Sequence, residues 1–210
     1  STLSSSSAAS DVYKRQMKYI MRERKLLPGE KDKALNYAEL AIQKKGQYYD
    51  LQLKQLAGHI LFEKRQFAKA LPYLQEYVEK KEKVSREDIY ELSYCYYEAK
   101  NWQKAISGFK QIGSAQDSLA QNSMYLLADC YLKVDDPGNA RSAFLFCYTN
   151  NSNPTQKEVS AFHYAKLSYE LSYFDEAAKG LERFIQQYPA SSYNNAVSYT
   201  HLRAHETRHD

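Results

Sequence analysis

The stretch Leu92–Phe109, "LSYCYYEAKNWQKAISGF", carries the pattern that decides the fold. Two runs with apolar residues at helical spacing flank the breaker pair Lys100-Asn101, and the runs contain the small residues Ser93 and Ala105 respectively. Small side chains let two helix backbones approach closely, whereas a bulky side chain at such a position overpacks by ~1–3 kcal/mol. The stretch therefore predicts two antiparallel helices in tight contact.

The alanine of the second run recurs along the whole chain. Its equivalents are spaced by 36, 35, 35 and 37 residues, and they are Ala34, Ala70, Ala105, Ala140 and Ala177. A small residue precedes four of them by twelve positions, and these residues are Gly58, Ser93, Ala128 and Ala165. A period of this length is typical of stacked helical repeats, in which each repeat buries its apolar face against its neighbours. The sequence therefore predicts an all-α repeat fold.

These repeats resemble the tetratricopeptide repeat family. The stretch quoted above matches the family pattern of small and aromatic residues closely, and "LAGHILFEKRQFAKALPYL" and "LLADCYLKVDDPGNARSAF" match it well. The fourth full repeat departs from the pattern, with Ser168 where an aromatic residue is usual and Tyr169 one position later. The resemblance implies an α-α superhelix, a right-handed solenoid of antiparallel helix pairs whose first helices line a concave groove.

The period also predicts the organisation of the chain. We expect a partial repeat at 17–47, full repeats at about 48–84, 85–117, 118–154 and 155–190, and the start of another at 191–196. A polar connector, Asn150–Pro154, accounts for the longest spacing.

The two terminal segments, 1–16 and 197–210, resemble translated sequencing-adapter DNA rather than native protein. "SSAASDVYKRQ" back-translates into a transposase adapter that ends in its mosaic end, and "VSYTHLRAHET" back-translates into the opposite strand of the mosaic end followed by the partner adapter. We therefore expect the native part to be 17–196, a fragment of a larger bacterial protein. His205–His209 reads H-E-x-x-H, the spacing of two zinc ligands, but it lies in the second tail, so we predict no metal site.

Composition excludes several classes of function. The 29 basic and 25 acidic residues give a net charge of +4, too small to indicate a nucleic-acid partner. The pentatricopeptide type, an RNA-binding rival of similar period, is disfavoured by that charge and by the packing alanines. No apolar run approaches the ~20 residues of a membrane span, so we expect no membrane insertion.

Catalysis finds little support in the sequence. The seven glycines are scattered rather than forming a phosphate-binding loop, and His59 and His163 lie far apart in repeat register. Cys95, Cys130 and Cys147 show no metal-ligand spacing, and we expect them to be buried and free of disulfides. We therefore predict no catalytic residue and no cofactor: the chain is not expected to be an enzyme.

A second stripe, offset from the buried one, indicates where a partner would bind. In the repeat that begins at residue 85, Tyr90, Tyr94 and Tyr97 share one helix face. Tyrosine offers a large contact area at low entropic cost, so we predict a groove that binds a peptide or helix of a partner protein. The alternative is that these rings pack between neighbouring first helices and stabilise the array. The candidate groove residues are His59, Phe62, Glu63, Tyr90, Tyr94, Tyr97, Glu98, Tyr125, Asp129, Lys133, Phe162, Lys166 and Tyr169.

Two further expectations concern the ligand and the biological setting. Family members that clamp a chain-terminal carboxylate use basic and amide groups at positions that hold Gln55, His59 and Tyr94 here, so we predict no carboxylate clamp. "QQYPASSYNNA" (Gln186–Ala196) is similar to junctions in tetratricopeptide proteins of the bacterial cell envelope, which favours that location over the cytoplasm. The leading interpretation is a non-catalytic scaffold. The alternative is a regulatory or recruitment module of an enzyme whose catalytic domain lies outside this fragment.

Overall fold

The computed structural model describes residues 28–43, 50–113, 115–198 and 200, and the regular elements within them are all α-helices. The all-α fold of antiparallel helix pairs that the sequence predicts is confirmed. Among the described residues, no helix combines the length and the apolar character needed to cross a membrane. The helices are α1 (Pro28–Gln43), α2 (Asp50–Glu63), α3 (Phe67–Lys80), α4 (Arg86–Glu98), α5 (Trp102–Lys110), α6 (Ser118–Lys133), α7 (Pro137–Thr149), α8 (Pro154–Glu170) and α9 (Phe174–Gln187), and residues 194–198 are also helical.

The chain divides into two compact units between Lys83 and Val84. In the first unit, α2 packs against both α1 and α3. In the second unit, each helix from α4 to α9 packs against the next one, and the first helices of successive repeats, α4, α6 and α8, also contact one another. A row of first helices therefore lies side by side in the second unit.

Contacts between small residues hold the two helices of a repeat together. The five repeat alanines are all buried, as the period predicts. A Cβ added to Gly58 would lie 2.7 Å from Leu74 Cδ2, and one added to Gly180 would lie 3.1 Å from the Cβ of Ala165. A Cβ on Gly108 would collide with the Ser93 hydroxyl. These helix pairs therefore meet at distances that only small side chains permit.

The turn between the two helices has the same backbone geometry in four repeats. One residue in each turn adopts a left-handed conformation, with φ between 57° and 65°, at Arg65, Lys100, Asp135 and Ser172. The next residue then donates its N–H to a carbonyl five positions back, as Asn101 does to Tyr96 at 2.8 Å. This arrangement is the Schellman motif, and it reverses the chain direction within three residues.

A buried glutamine in α6 holds the connection between α7 and α8. Gln121 is completely buried, and its Nε2 donates to the carbonyls of Cys147, Asn150 and Asn153 at 3.0–3.1 Å. Its Oε1 accepts from the Asn153 N–H at 2.6 Å. The sequence predicts a polar connector at Asn150–Pro154, but it gives no signal that Gln121 satisfies the backbone of that connector.

The three cysteines are buried and free, which confirms the sequence expectation. Burial raises the pKa of the Cys95 and Cys130 thiols to about 12, and it raises the pKa of Cys147 as well. All three therefore remain protonated at neutral pH and act as small apolar side chains.

Replacing Ala105 by leucine is expected to lower the free energy of unfolding by ~1–3 kcal/mol, because α5 has no room for a larger side chain at this fully buried position. Urea unfolding followed by circular dichroism measures the change. Gln103→Leu, at an exposed position of the same helix, is the matched control and should change stability by less than about 0.5 kcal/mol. Equal effects of the two substitutions would contradict the close-packing argument.

Replacing Lys100 by glycine is expected to stabilise the protein by about 1 kcal/mol, because glycine adopts the left-handed conformation without the penalty that a Cβ imposes. Thermal unfolding followed by calorimetry detects this gain. Ser107→Gly, at an exposed helical position of α5, should instead destabilise by about 0.5 kcal/mol. A loss of stability in Lys100→Gly would show that the turn does not carry this strain.

An ion pair joins the start of α4 to the start of α6. Arg86 Nη1 donates to Asp117 Oδ2 at 2.7 Å and Nη2 to Oδ1 at 3.1 Å. Asp117 is also the N-cap of α6, where it accepts from the Ala120 N–H at 2.8 Å. The Arg86 hydrogen bond, followed by the Ala120 N–H, lowers the pKa of the Asp117 carboxyl to about 2.

This depressed pKa predicts a stability term that is complete above about pH 4, the unfolded value, and is lost as the pH falls toward 2. Asp117→Asn retains the cap but removes the charge, so it should flatten that part of the profile of unfolding free energy against pH. The term should be roughly 0.5 kcal/mol, since the carboxylate is partly exposed and screened. Identical acid profiles for the two proteins would rule out the ion pair as a stabilising contact.

Candidate partner-binding face

The surface formed by α4, α6 and α8 carries most of the candidate residues of the second unit. Each of these helices buries one stripe against its own second helix and turns an adjacent stripe outward. We call this surface the tyrosine face and define it by Tyr90, Tyr94, Tyr97, Glu98, Tyr125, Asp129, Lys133, Lys166 and Tyr169. Its tyrosines are partly buried, whereas Glu98, Lys133 and Lys166 are exposed.

Three tyrosines of α4 form a continuous row on this face. The ring centroids of Tyr90 and Tyr94 are 6.0 Å apart, and those of Tyr94 and Tyr97 are 5.9 Å apart. The two ends of the row contact α5, where Tyr90 approaches Phe109 at 6.0 Å and Tyr97 meets Trp102 edge-on at 5.5 Å. Tyr94, in the middle, is therefore flanked by rings whose positions are fixed by the neighbouring helix.

Hydrogen bonds connect the row to the next first helix. Asn122 Nδ2 donates to the Tyr90 hydroxyl oxygen at 2.5 Å, and the Tyr97 hydroxyl donates to Asp129 Oδ2 at 2.8 Å. Burial raises the pKa of Tyr90 to about 12. Burial, together with the hydrogen bond to Asp129, raises the pKa of Tyr97 well above its usual range. Both phenols are therefore protonated at neutral pH. The sequence left open whether these tyrosines stabilise the repeat array. Tyr90 and Tyr97 do so, because each makes a hydrogen bond that links two repeats.

A related aromatic contact closes the turn in three repeats. The last aromatic residue of the first helix meets the first residue of the second helix, as in Tyr97–Trp102 and in Tyr169–Phe174 at 5.7 Å. Leu132 occupies the equivalent position in the remaining full repeat of the second unit, and it is exposed. Tyr169 therefore contributes to packing at the edge of the tyrosine face.

Phe162 differs from the expectation, since it is buried rather than open on a groove. Its ring stacks on Tyr193 at 4.5 Å, and it belongs to a core cluster with Phe184 and Val197. The reason is tertiary: Tyr193, which follows α9 in the chain, lies over this part of α8 and covers the ring. The sequence pattern places Phe162 on the same face of α8 as Lys166 and Tyr169. It cannot show that a residue from another segment packs over the ring.

The charged groups on the face are mostly paired along their own helices. Lys133 Nζ lies 3.9 Å from Asp129 Oδ1, and Lys166 Nζ lies 3.4 Å from Glu170 Oε1. His163 stacks on Phe144 at 4.9 Å, and burial, followed by the charge of Lys166, lowers its pKa. A neutral His163 adds no positive charge to the face at neutral pH.

The candidate residues of the first unit form their own cluster. Lys31 Nζ lies 2.8 Å from Glu63 Oε2, so Glu63 ties α1 to α2, and His59 Nε2 lies 3.8 Å from the same oxygen. The Phe62 ring meets Phe67 edge-on at 5.5 Å across the turn between α2 and α3. Glu63 and Phe62 therefore stabilise helix packing in this unit.

Arg141 is a residue of the second unit that the sequence gives no reason to single out. Its guanidinium lies between the rings of Tyr164 and Tyr173, 4.8 and 4.3 Å from their centroids. Its Nε donates to the Ser168 hydroxyl at 2.7 Å. Ser168 stands where the family pattern has an aromatic residue, so the polar substitution has a partner on the preceding repeat.

No group of three or more His, Cys, Asp or Glu side chains within the described ranges is arranged to hold a metal ion. The segment His205–His209, with its zinc-ligand spacing, lies outside the residues that the structure describes.

Comparison with known proteins identifies the family. Residues 76–147 match the family model described as anaphase-promoting complex, cyclosome, subunit 3, and residues 160–191 match the model described as tetratricopeptide repeat. Over these residues the chain carries repeats of the tetratricopeptide type. The tyrosine face is thus the row of first helices of a tetratricopeptide repeat protein, and the fold is that of a protein-interaction module.

Solved structures agree with this membership at the level of the fold. The YrrB structure, described as a TPR protein with an unusual peptide-binding site, is 15% identical, with a TM-score of 0.61, covering 82% of this chain and 84% of its own. MamA is 14% identical, with a TM-score of 0.58 and coverages of 75% and 88%. A tetratricopeptide repeat protein from Parabacteroides merdae is 14% identical, with a TM-score of 0.55 and coverages of 84% and 66%. No curated protein matches the chain by sequence.

Proposed function

We propose that this tetratricopeptide repeat protein is a non-catalytic scaffold that binds a peptide or a helix of a partner protein on the tyrosine face. The observation that carries the proposal is the continuous row Tyr90–Tyr94–Tyr97 beside Tyr125 and Asp129 of the next helix. Rigid aromatic rings supply much of the energy of protein interfaces, because they bury a large area and have few rotamers to lose.

The geometry favours Tyr94 as the central anchor. Tyr94 lies at the centre of the row, between Tyr90 and Tyr97, and it is partly exposed. Its neighbours are already ordered by α5, so a partner would find a preorganised surface and would lose little side-chain entropy on binding. The peptide-binding site named for YrrB, a protein of the same fold, is in keeping with this use of the surface.

Tyr94→Ala tests the proposal. Peptides selected on the wild-type chain from a phage-displayed random library provide the probes, and fluorescence anisotropy gives their dissociation constants. We expect Tyr94→Ala to weaken binding by about 30-fold, the effect of losing a central aromatic anchor. Thermal unfolding of the variant should keep the same cooperative transition.

Tyr173→Ala is the matched control, since Tyr173 is also an exposed tyrosine but lies on the turn before α9. It should leave peptide affinity unchanged within about twofold, which corresponds to less than 0.5 kcal/mol. Selected peptides whose binding responds to Tyr173 and not to Tyr94 would overturn the assignment of the face.

A further inference from the structure

Two glutamates at the borders of the tyrosine face make this part of the surface acidic. Within the face, Glu98 and Asp129 balance Lys133 and Lys166. Glu87 at the start of α4 and Glu170 at the end of α8 add two further carboxylates beside it. His163 is neutral at neutral pH, because burial lowers its pKa. The face and its borders are therefore acidic on a protein with a net charge of +4, which favours a cationic ligand.

Asp129 is the carboxylate on this face that is both oriented and accessible. The Tyr97 hydroxyl donates to Oδ2 at 2.8 Å and fixes the rotation of the carboxylate. The side chain retains 31% of its exposure. Lys133 Nζ stands 3.9 Å from Oδ1, which is too far for a hydrogen bond, so Oδ1 can still accept one from a ligand.

Tyrosine side chains lie near this carboxylate. The Tyr97 hydroxyl donates to it, the Tyr94 ring lies 5.9 Å from the Tyr97 ring, and Tyr125 lies one turn earlier on α6. Burial is the main cause that raises the pKa of Tyr125, and the charge of Asp129 contributes to it, in keeping with their proximity. A carboxylate beside tyrosine rings suits a guanidinium, which donates in its plane and stacks through its faces.

We propose that Asp129 binds an arginine side chain of the partner peptide, with Tyr97 as its positioning residue and the rings of Tyr94 and Tyr125 beside the guanidinium. This inference rests on the proposed function, because it names the chemistry of the segment that the tyrosine face binds. Arginine is favoured over lysine, since a compact ammonium group cannot stack on a ring while it donates to Oδ1.

The test compares an arginine peptide with its neutral isostere. A peptide selected on the wild-type chain from the phage-displayed library is synthesised with arginine and with citrulline, which keeps the shape and removes the charge. We expect the arginine form to bind about 10-fold more tightly, and this ratio to fall below about twofold in Asp129→Asn. Raising sodium chloride from about 50 to about 500 mM should weaken the arginine form much more than the citrulline form.

Two variants separate positioning from general structural damage. Tyr97→Phe keeps the ring against Trp102 but removes the hydroxyl, so it should lower the arginine-to-citrulline ratio to about threefold. Asp135→Asn removes the same charge from the turn after α6, where asparagine tolerates the left-handed backbone, and it should leave the ratio at about 10-fold.

The outcomes distinguish this inference from the proposed function. Peptides that depend on Tyr94 but show no arginine preference, or a preference that persists in Asp129→Asn, would overturn the role of Asp129 and leave the peptide-binding face standing. A library that yields no binder sensitive to Tyr94 or Tyr125 would overturn the proposed function, and the arginine site with it.

Discussion

The close approach of the two helices within each repeat is the constraint on which the rest of the structure depends. Ser93 faces Gly108, and Ala165 faces Gly180, at separations that leave no space for another methyl group. Because the second helix lies so near, the first helix buries one stripe completely and must turn the adjacent stripe outward. The tyrosine face is therefore a consequence of the small residues on the adjacent, buried stripe of the same helices.

The turn between the two helices of a repeat connects this close packing to the position of the tyrosine row. A left-handed residue at Lys100 lets Asn101 serve two helices at once: its N–H caps the end of α4, and its side chain accepts from the Lys104 N–H at 3.4 Å to start α5. Asp136 does the same between α6 and α7. The aromatic contact of Tyr97 with Trp102 then closes the turn and sets one end of the tyrosine row. Local backbone chemistry and the shape of the candidate site are thus directly linked.

Hydrogen bonds with neighbouring polar side chains hold two of the outward-facing tyrosine rings in place. The hydrogen bonds of Tyr90 with Asn122 and of Tyr97 with Asp129 use the phenol oxygens to align neighbouring first helices. Two of the three tyrosines in the row therefore link repeats as well as presenting a partly exposed surface, and Tyr94 lies between them. Tyrosines repeated at helical spacing therefore contribute to packing between repeats or to the exposed surface, depending on which residues lie next to them.

Spacing along one helix pair is enough to predict the all-α repeat fold and the burial of the five alanines and the three cysteines. The packing of neighbouring repeats is needed to show that Phe162 lies beneath Tyr193, that Gln121 holds the α7–α8 connection, and that Arg141 lies over two tyrosine rings. Each of these contacts joins residues that are about one repeat or less apart in sequence but lie on different helices or connecting segments. Periodicity fixes which face a residue occupies, but it cannot show what lies opposite, because that depends on how neighbouring repeats pack.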